Sequence, residues 1–183
     1  MSQTRHNARQ AAVQAIYQWL LTGKEVDYID EQFLADHDLT NVDVDYFKEL
    51  LHKIPLHLHE IEDHFVPMLD RKLSELDPVE CAILHIGTYE LEFRLDVPYR
   101  VIINESVELA KTFGAEHGHK YVNSILDKVA HKLREAEINA QNSNSGNGAG
   151  KPKRSNARKD VKITTKKSMN SSSAAAQRLA KGK

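Results

Sequence analysis

Two pairs of histidines have the spacing of metal ligands. His57 and His59 flank a leucine, and His117 and His119 flank a glycine. A zinc site needs four ligands, usually with acids that orient the imidazoles. Neither pair is accompanied by a cysteine, so we interpret these residues as solvated histidines on helix faces. No metal site is expected.

Other motifs of catalysis are missing from the sequence. It contains no glycine-rich phosphate loop, no CxxC pair, no HExxH and no GxSxG. The single cysteine, Cys81, lies in an apolar stretch and is interpreted as a small core residue, not as a nucleophile. We therefore expect a protein without catalytic residues or a cofactor, that is, not an enzyme.

Three charged residues interrupt apolar stripes and need an explanation. Arg5 and Arg9 lie within the stripe of the first predicted helix, and Glu105 lies within that of a later one. A buried charge needs a partner, so the first interpretation is an Arg9–Glu105 bridge between two packed helices. The second interpretation is that the arginines reach a phosphate backbone. We favour the bridge for Arg9 and nucleic acid for Arg5, which lies nearer the end of the helix.

The segment Asp77–Arg94 is the element around which the others must pack. Asp77 can cap a helix, Pro78 suits its first position, and Glu80 completes the pattern of a capping box. The residues that follow are apolar around most of the helix circumference, which indicates a helix surrounded by other helices. Gly87 within it predicts the close approach of a neighbouring helix.

Helical periodicity also covers the rest of the first 139 residues, and no alternating strand pattern is present. The predicted fold is all-α, a compact bundle of about seven helices in two packed halves. A long pattern that begins at Asp43 contains Pro55, which predicts a kink. The expected helices are approximately 4–22, 26–35, 43–68 with its kink, 70–75, 77–94, 99–113 and 117–136.

Charge divides the chain into two parts. Residues 1–139 contain 25 acids and 14 lysines or arginines, whereas residues 140–183 contain one acid and 11 such bases. The formal charges are thus about −11 and about +10. We predict a helical domain over 1–139, followed by a polar linker and a basic tail over 140–183. The tail is too poor in apolar residues to offset its ordering entropy, so it is expected to be disordered.

Three stretches of the acidic part resemble the NusB family of bacterial transcription antitermination factors. They are ARQAAVQAIYQW, LDPVECAILHIGTYEL and VPYRVIINESVELAKTFGAEHGHKYVNSILDKV. Together they span most of residues 3–135 in the order and spacing of the family. The resemblance implies an all-helical factor that binds the boxA segment of ribosomal RNA leader transcripts. Binding occurs together with NusE, a small-subunit ribosomal protein, and the complex joins RNA polymerase and other Nus factors against premature termination.

The resemblance also implies an RNA-binding surface. It combines the basic start of the first helix with aromatic residues and the loop that opens the last helix. The matching positions in this sequence are Arg5, His6, Arg9, Tyr17, His117, Lys120 and Tyr121. Three departures are visible: His6 and Asn7 interrupt the arginine cluster of the family, Met68 stands where some members have an aromatic residue, and His117 replaces an acid found in some relatives.

The acidic charge of the helical domain suggests a basic partner. A domain near −11 repels RNA at long range, and a ribosomal protein could supply compensating charge as well as further RNA contacts. The acids Glu75, Asp77 and Glu80 cluster at the predicted exposed start of the central helix. We predict that these three residues bind the partner.

Two alternatives come from other functional classes. NusB-like domains also precede some ribosomal RNA methyltransferases, but the cofactor-binding α/β domain of those enzymes has no counterpart here. A scaffold that binds only proteins fits the acidic charge, although Arg5, Arg9 and the basic tail argue against it. No apolar run suits a signal peptide or a membrane span, so a cytoplasmic protein without membrane contact is expected.

Overall fold

The structure is a computed structural model that describes residues 3–145, apart from the side chains at 142, 144 and 145. These residues form eight α-helices and two single 3₁₀ turns, without strands. The tail, predicted to be disordered, lies outside the described residues. The helices are α1 (Gln3–Thr22), α2 (Val26–Asp36), α3 (Val44–Leu56), α4 (Leu58–Phe65), α5 (Pro78–Phe93), α6 (Tyr99–Phe113), α7 (Gly118–Leu133) and α8 (Glu135–Ser145).

The helices pack in two halves, as predicted. Helices α1, α2 and α3 contact one another, and helices α5, α6 and α7 form the second group. Helix α5 contacts α1, α3 and α4 as well as its own group, so it joins the halves. All eleven residues from Cys81 to Leu91 are buried, which confirms that this segment is the centre of the bundle. Within the described residues, no helix is long and apolar enough to cross a membrane.

Local sequence explains how α5 begins and why its neighbours lie so close. The Asp77 carboxylate accepts from the backbone N–H groups of Val79, at 2.8 Å, and Glu80, at 3.4 Å. These bonds satisfy donors that a helix start leaves without partners. A Cβ added to Gly87 would lie 2.7 Å from Leu126 Cδ1 of α7 and 2.9 Å from the Ser106 hydroxyl of α6. The predicted close approach at Gly87 is therefore confirmed.

The structure changes several predicted boundaries. The pattern that begins at Asp43 gives two helices, because α3 ends one residue after Pro55 and α4 starts beyond His57. Proline cannot donate to the carbonyl four residues earlier, so the helical bonding fails there. The short helix predicted over 70–75 is a 3₁₀ turn, Leu73–Glu75. Helix α8 continues past residue 139, where we had placed the start of the linker.

Arg134, between α7 and α8, fastens the C-terminal end of α5. Its buried guanidinium donates to the backbone carbonyls of Leu91 at 2.6 Å, Glu90 at 3.2 Å and Arg94 at 2.9 Å. Carbonyl groups in the last turn of a helix have no partners within the helix. The break between α7 and α8 thus places the guanidinium of Arg134 where it can donate hydrogen bonds to the carbonyl groups at the end of α5.

Candidate nucleic-acid interface

Arg9 lies inside the bundle, where neither its side chain nor that of Glu90 has any exposed area. Its guanidinium Nη2 is 2.6 Å from Glu90 Oε1, and its Nε is 3.0 Å from both carboxylate oxygens. Burial opposes ionisation, but the hydrogen bond and the charge of Glu90 raise the pKa of Arg9 above its ordinary value. Arg9 therefore joins α1 to α5.

Glu105 was predicted to be the partner of Arg9, but the main partner is Glu90. Glu105 Oε2 is 3.7 Å from Arg9 Nη1, a secondary ion pair at the edge of the Glu90 contact. Tyr46 of α3 completes the group: its hydroxyl donates to Glu90 and lies 3.2 Å from Arg9 Nη2. Arg9 was also predicted to contact RNA, yet in this structure it has no surface to offer. The arginine that interrupts the α1 stripe is a structural residue.

Arg5, near the start of α1, is half-buried and already paired. Arg5 lies 3.5 Å from both Asp43 and Asp96, and its guanidinium is 5.0 Å from the centre of the Tyr46 ring. About a third of its side chain remains exposed. Loose ion pairs at a surface contribute little stability and can be exchanged for a phosphate. Arg5 can therefore reach a phosphate, as predicted, if it releases these acids.

His6 has a more restricted position. Its Nδ1 lies 2.7 Å from Glu105 Oε2, and its Nε2 lies 3.2 Å from the side-chain nitrogen of Gln10. Both ring nitrogens thus have partners within the fold, so His6 must give up one of these contacts to bind RNA.

The start of α7 holds the second group of predicted RNA-binding residues. His117, the residue before α7, is exposed and has a left-handed backbone, with φ of 73°. Lys120 is also exposed, and no acid within residues 3–145 forms an ion pair with it. A cation without a competing carboxylate is immediately available to a phosphate. Of the predicted cations, Lys120 is the best placed for RNA.

Tyr121 belongs to a cluster that sequence reasoning did not find. Its hydroxyl donates to Asp70 Oδ1 at 2.9 Å, and the guanidinium of Arg71 lies 4.9 Å from the centre of its ring. Hydrogen bonds from Arg71 and Tyr121 lower the pKa of Asp70 to about 2. Arg71 is exposed and stacks on a predicted RNA-binding tyrosine, so it joins the candidate interface. The contact crosses fifty residues of sequence, and no local pattern signals it.

Tyr17 lies in a groove formed by α1, the start of α5 and the end of α6. Its side chain is 37% exposed, and the groove has a volume of about 520 Å³. The apolar lining residues are Val13, Tyr17, Leu21, Val79 and Phe113. An apolar groove with an exposed aromatic ring is suited to holding an unstacked base.

The groove connects the candidate residues through the start of α5. Val79 lines the groove, and the next residue, Glu80, lies against the start of α7: a Cβ added to Gly118 would be 2.4 Å from Glu80 Oε1. Along α1, eleven residues separate His6 from Tyr17, which is roughly three turns on one helix face. The start of α7 thus lies near the groove that contains Tyr17, and His6 lies farther along the same face of α1; we call these surfaces of α1 and α7 the strip.

The predicted partner-binding acids lie beside this strip. Glu75 and Asp77 are exposed, whereas Glu80 is half-buried against α7. Burial, followed by repulsion from Asp77, raises the pKa of Glu80. Asp77 is also the cap of α5. Asp77 and Glu80 therefore have structural contacts in addition to any partner they bind.

The histidine pairs considered as metal ligands have other surroundings. Among the described residues, no group of three or more histidines, cysteines, aspartates or glutamates is arranged to hold a metal ion. His57 Nδ1 lies 3.1 Å from Glu60, and its ring packs on Phe93 with centres 4.5 Å apart.

These features define an all-α protein with one interior, built on a central buried helix, and a surface strip of aromatic and basic residues. Comparison with known proteins then gives the family. The NusB family model matches residues 6–131, and the chain belongs to the NusB family.

The similar proteins agree with this assignment. Transcription antitermination protein NusB of Nitrosococcus oceani is 52% identical over 141 residues, which cover 77% of this chain and 95% of that protein. The protein of the same name from Hahella chejuensis is 48% identical over 139 residues, covering 76% and 93%. Among solved structures, NusB of T. maritima matches with a TM-score of 0.64 and 28% identity, covering 76% of this chain and 99% of that one.

Proposed function

We propose that this protein is a transcription antitermination factor that binds boxA RNA of ribosomal RNA leader transcripts together with NusE. The observation that carries the proposal is the strip of surface along α1 and α7 in a chain that belongs to the NusB family. Relatives that match over three quarters of this chain are named transcription antitermination proteins. The bound complex would join RNA polymerase and other Nus factors in the cytoplasm, without catalysis by this chain.

Single-stranded RNA has a natural path across the strip. One base stacks on Tyr17 in the groove, and the backbone runs toward Lys120 and His117 at the start of α7. Tyr121, with Arg71 on its ring, offers a second aromatic surface. At the other end of α1, Arg5 and His6 contact the backbone or a base. Arg9 acts from beneath by holding α1 on α5.

The partner's role follows from charge. The helical domain carries 25 acids against 14 lysines and arginines over residues 1–139, so RNA alone is repelled at long range. A basic ribosomal protein on Glu75, Asp77 and Glu80 would cancel part of this charge beside the RNA path. We therefore expect weak binding of RNA by this protein alone and a large gain in affinity when NusE is present.

The test is a gel-shift titration of boxA RNA and a scrambled RNA, with and without NusE, at one salt concentration. We expect preference for boxA and a large increase in affinity with NusE. Tyr17→Ala should weaken binding, whereas Tyr28→Ala, a matched exposed tyrosine on α2, should not. Glu80→Lys should weaken the NusE complex without changing the helical circular dichroism.

Two outcomes would contradict the proposal. Equal affinity for boxA with and without NusE would exclude the proposed role of the partner. Binding of NusE without any increase in the affinity of NusE for boxA RNA would favour a scaffold that binds only proteins. The acidic charge of the helical domain is the observation that favours that second function.

A further inference from the structure

Helix α1 differs from every other helix of the described bundle in its charge. The first 24 residues contain no acid, although residues 1–139 contain 25. Each of the other seven described helices contains at least one aspartate or glutamate. From Gln10 to Gly23 the chain has no charged residue at all. A surface without acids is one that a polyanion can approach closely.

Three amides on α1 are exposed or partly exposed. Gln10, Gln14 and Gln18 follow one another at four-residue spacing, so they form a short strip along the helix. This amide strip, Gln10–Gln14–Gln18, lies beside Tyr17. Gln14 and Gln18 line the Tyr17 groove, and Gln10 and Gln14 line a second groove of about 360 Å³ on the side toward α2. Gln14 is thus the ridge between the two grooves.

The hydrogen bonds of the strip leave capacity for a ligand. The Gln14 amide nitrogen makes one long bond, 3.3 Å, to the backbone carbonyl of Gln10. Its side-chain oxygen has no hydrogen-bond partner within residues 3–145, and the residue is exposed. Gln18 donates to Gln32 of α2 at 3.1 Å, which fixes the direction of the strip at that end. A glutamine amide can donate and accept at once, as the edge of an unpaired base also does.

The geometry points to the amide strip, with Gln14 at its centre, as the element that reads base identity in the bound RNA. This inference rests on the proposed function. Stacking on Tyr17 tolerates every base, and cations such as Lys120 contact the backbone, so neither contact can distinguish sequences. Neutral amides beside the stacking ring can do so, through hydrogen bonds to the edge of the stacked base or of its neighbour. Gln14 is placed for a two-bond contact of this kind.

The test compares Gln14→Ala with the unchanged full-length protein on boxA RNA and on RNAs with one base replaced at each position in turn, with NusE present. The variant should lose affinity for boxA by about fivefold to a hundredfold, as for one bidentate base contact. At one base position the penalty for replacement should vanish in the variant, while the penalties elsewhere should persist. Because glutamine is neutral, the salt dependence of binding should not change.

Two matched variants complete the design. Gln3→Ala removes an exposed amide from the same helix but outside both grooves, so the pattern of base preferences should remain as in the unchanged protein. Gln14→Glu places an acid on a helix that otherwise has none and should weaken the binding of all RNAs. Alanine favours helices, so neither stability nor circular dichroism should suffer in Gln14→Ala.

Three results would overturn the inference. The first is a Gln14→Ala protein whose penalties for base replacement match those of the unchanged protein at every position. The second is loss of NusE binding with RNA preferences intact, since the strip would then contact protein. The third is an unchanged protein that does not prefer boxA to scrambled RNA, which contradicts the proposed function itself and is recognised without any variant.

Discussion

The buried face of α5 and the surface strip along α1 and α7 contain similar ionisable residues in opposite situations. On α5, His85 and Glu90 have no exposed area, and each meets a residue of opposite charge from another helix. On the strip, Lys120 is exposed, and no ion pair to it is found within residues 3–145. A buried charge with a partner thus contributes to the stability of the fold, whereas an exposed charge without a partner remains available to bind a ligand.

The two buried sites on α5 follow one rule. At His85, Nδ1 lies 2.8 Å from the Cys81 carbonyl oxygen and Nε2 lies 3.1 Å from Glu62 Oε1 of α4. Both ring nitrogens face acceptors, so both must carry a proton and the ring must be a cation. Burial alone lowers the pKa of His85, but the hydrogen bonds to Cys81 and Glu62 outweigh it and raise the pKa to about 9.

The largest effect should come from removing the cation paired with Glu90. Arg9→Ala leaves that carboxylate buried without its main partner, so the free energy of unfolding should fall by about 3–5 kcal/mol, measured by urea denaturation. Replacing Glu90 by glutamine in the same protein removes the unpaired charge and should restore part of the loss. An Arg9→Ala protein with an unchanged urea midpoint but weakened RNA binding would show instead that Arg9 binds RNA and does not stabilise the fold.

How much of this was predictable differs between the two regions. The burial of α5 could be predicted because its apolar residues surround the helix and Asp77 and Pro78 define its start. That Arg9 needs an acid was also predictable, but the choice of Glu90 over Glu105 was not. Both acids interrupt apolar stripes, and periodicity does not say which helix lies nearer.

Long-range contacts account for the rest. Arg134 caps a helix that ends some forty residues earlier, and Tyr121 finds its partner in Asp70. Both contacts depend on how the chain after α6 packs against earlier parts of the fold, and no local sequence pattern predicts that packing. The positions of Tyr17 and Lys120 were predicted through family resemblance, and the groove that joins their surroundings became visible only in the structure.

A second effect, also at the buried face of α5, is a dependence of stability on pH. The pKa of His85 is raised from its ordinary 6.5 to about 9 in the folded state. Its contribution should therefore be complete below about pH 6.5 and be lost as the pH rises through 9, by about 3 kcal/mol in total. Urea denaturation between pH 6 and pH 10 measures it.

The matched variant for this experiment is Glu62→Gln. It removes the carboxylate that favours the imidazolium, so the loss of stability with rising pH should become smaller, while Cys81 stays in place. If the unchanged protein and Glu62→Gln show the same slope of stability against pH, His85 is not the titrating group.

A third effect concerns the basic tail, residues 151–183, which carries eleven lysines and arginines and one acid. We expect these cations to contact the RNA backbone. If about four of them engage single-stranded RNA, a chain ending at Gly150, which keeps all of α8, should have a log–log salt slope shallower by about 3. Preference for boxA over scrambled RNA should persist, because such contacts have no sequence information. An unchanged slope would indicate instead that the tail screens the acids of its own helical domain.

The smallest effect should come from removing single cations of the strip. Lys120→Ala removes a cation that no described acid holds, so each RNA should lose one phosphate contact and the salt slope should become shallower by about 0.7. Arg5→Ala should act in the same direction but less strongly, because Arg5 must first leave Asp43 and Asp96. For both, unfolding should change by less than about 0.5 kcal/mol, as for surface substitutions elsewhere. Lys53→Ala, an exposed lysine on α3, is the control and should change neither quantity. A large loss of stability in Arg5→Ala would show that Arg5, like Arg9, is a structural residue. Lys120 would then indicate the RNA-binding surface better than Arg5.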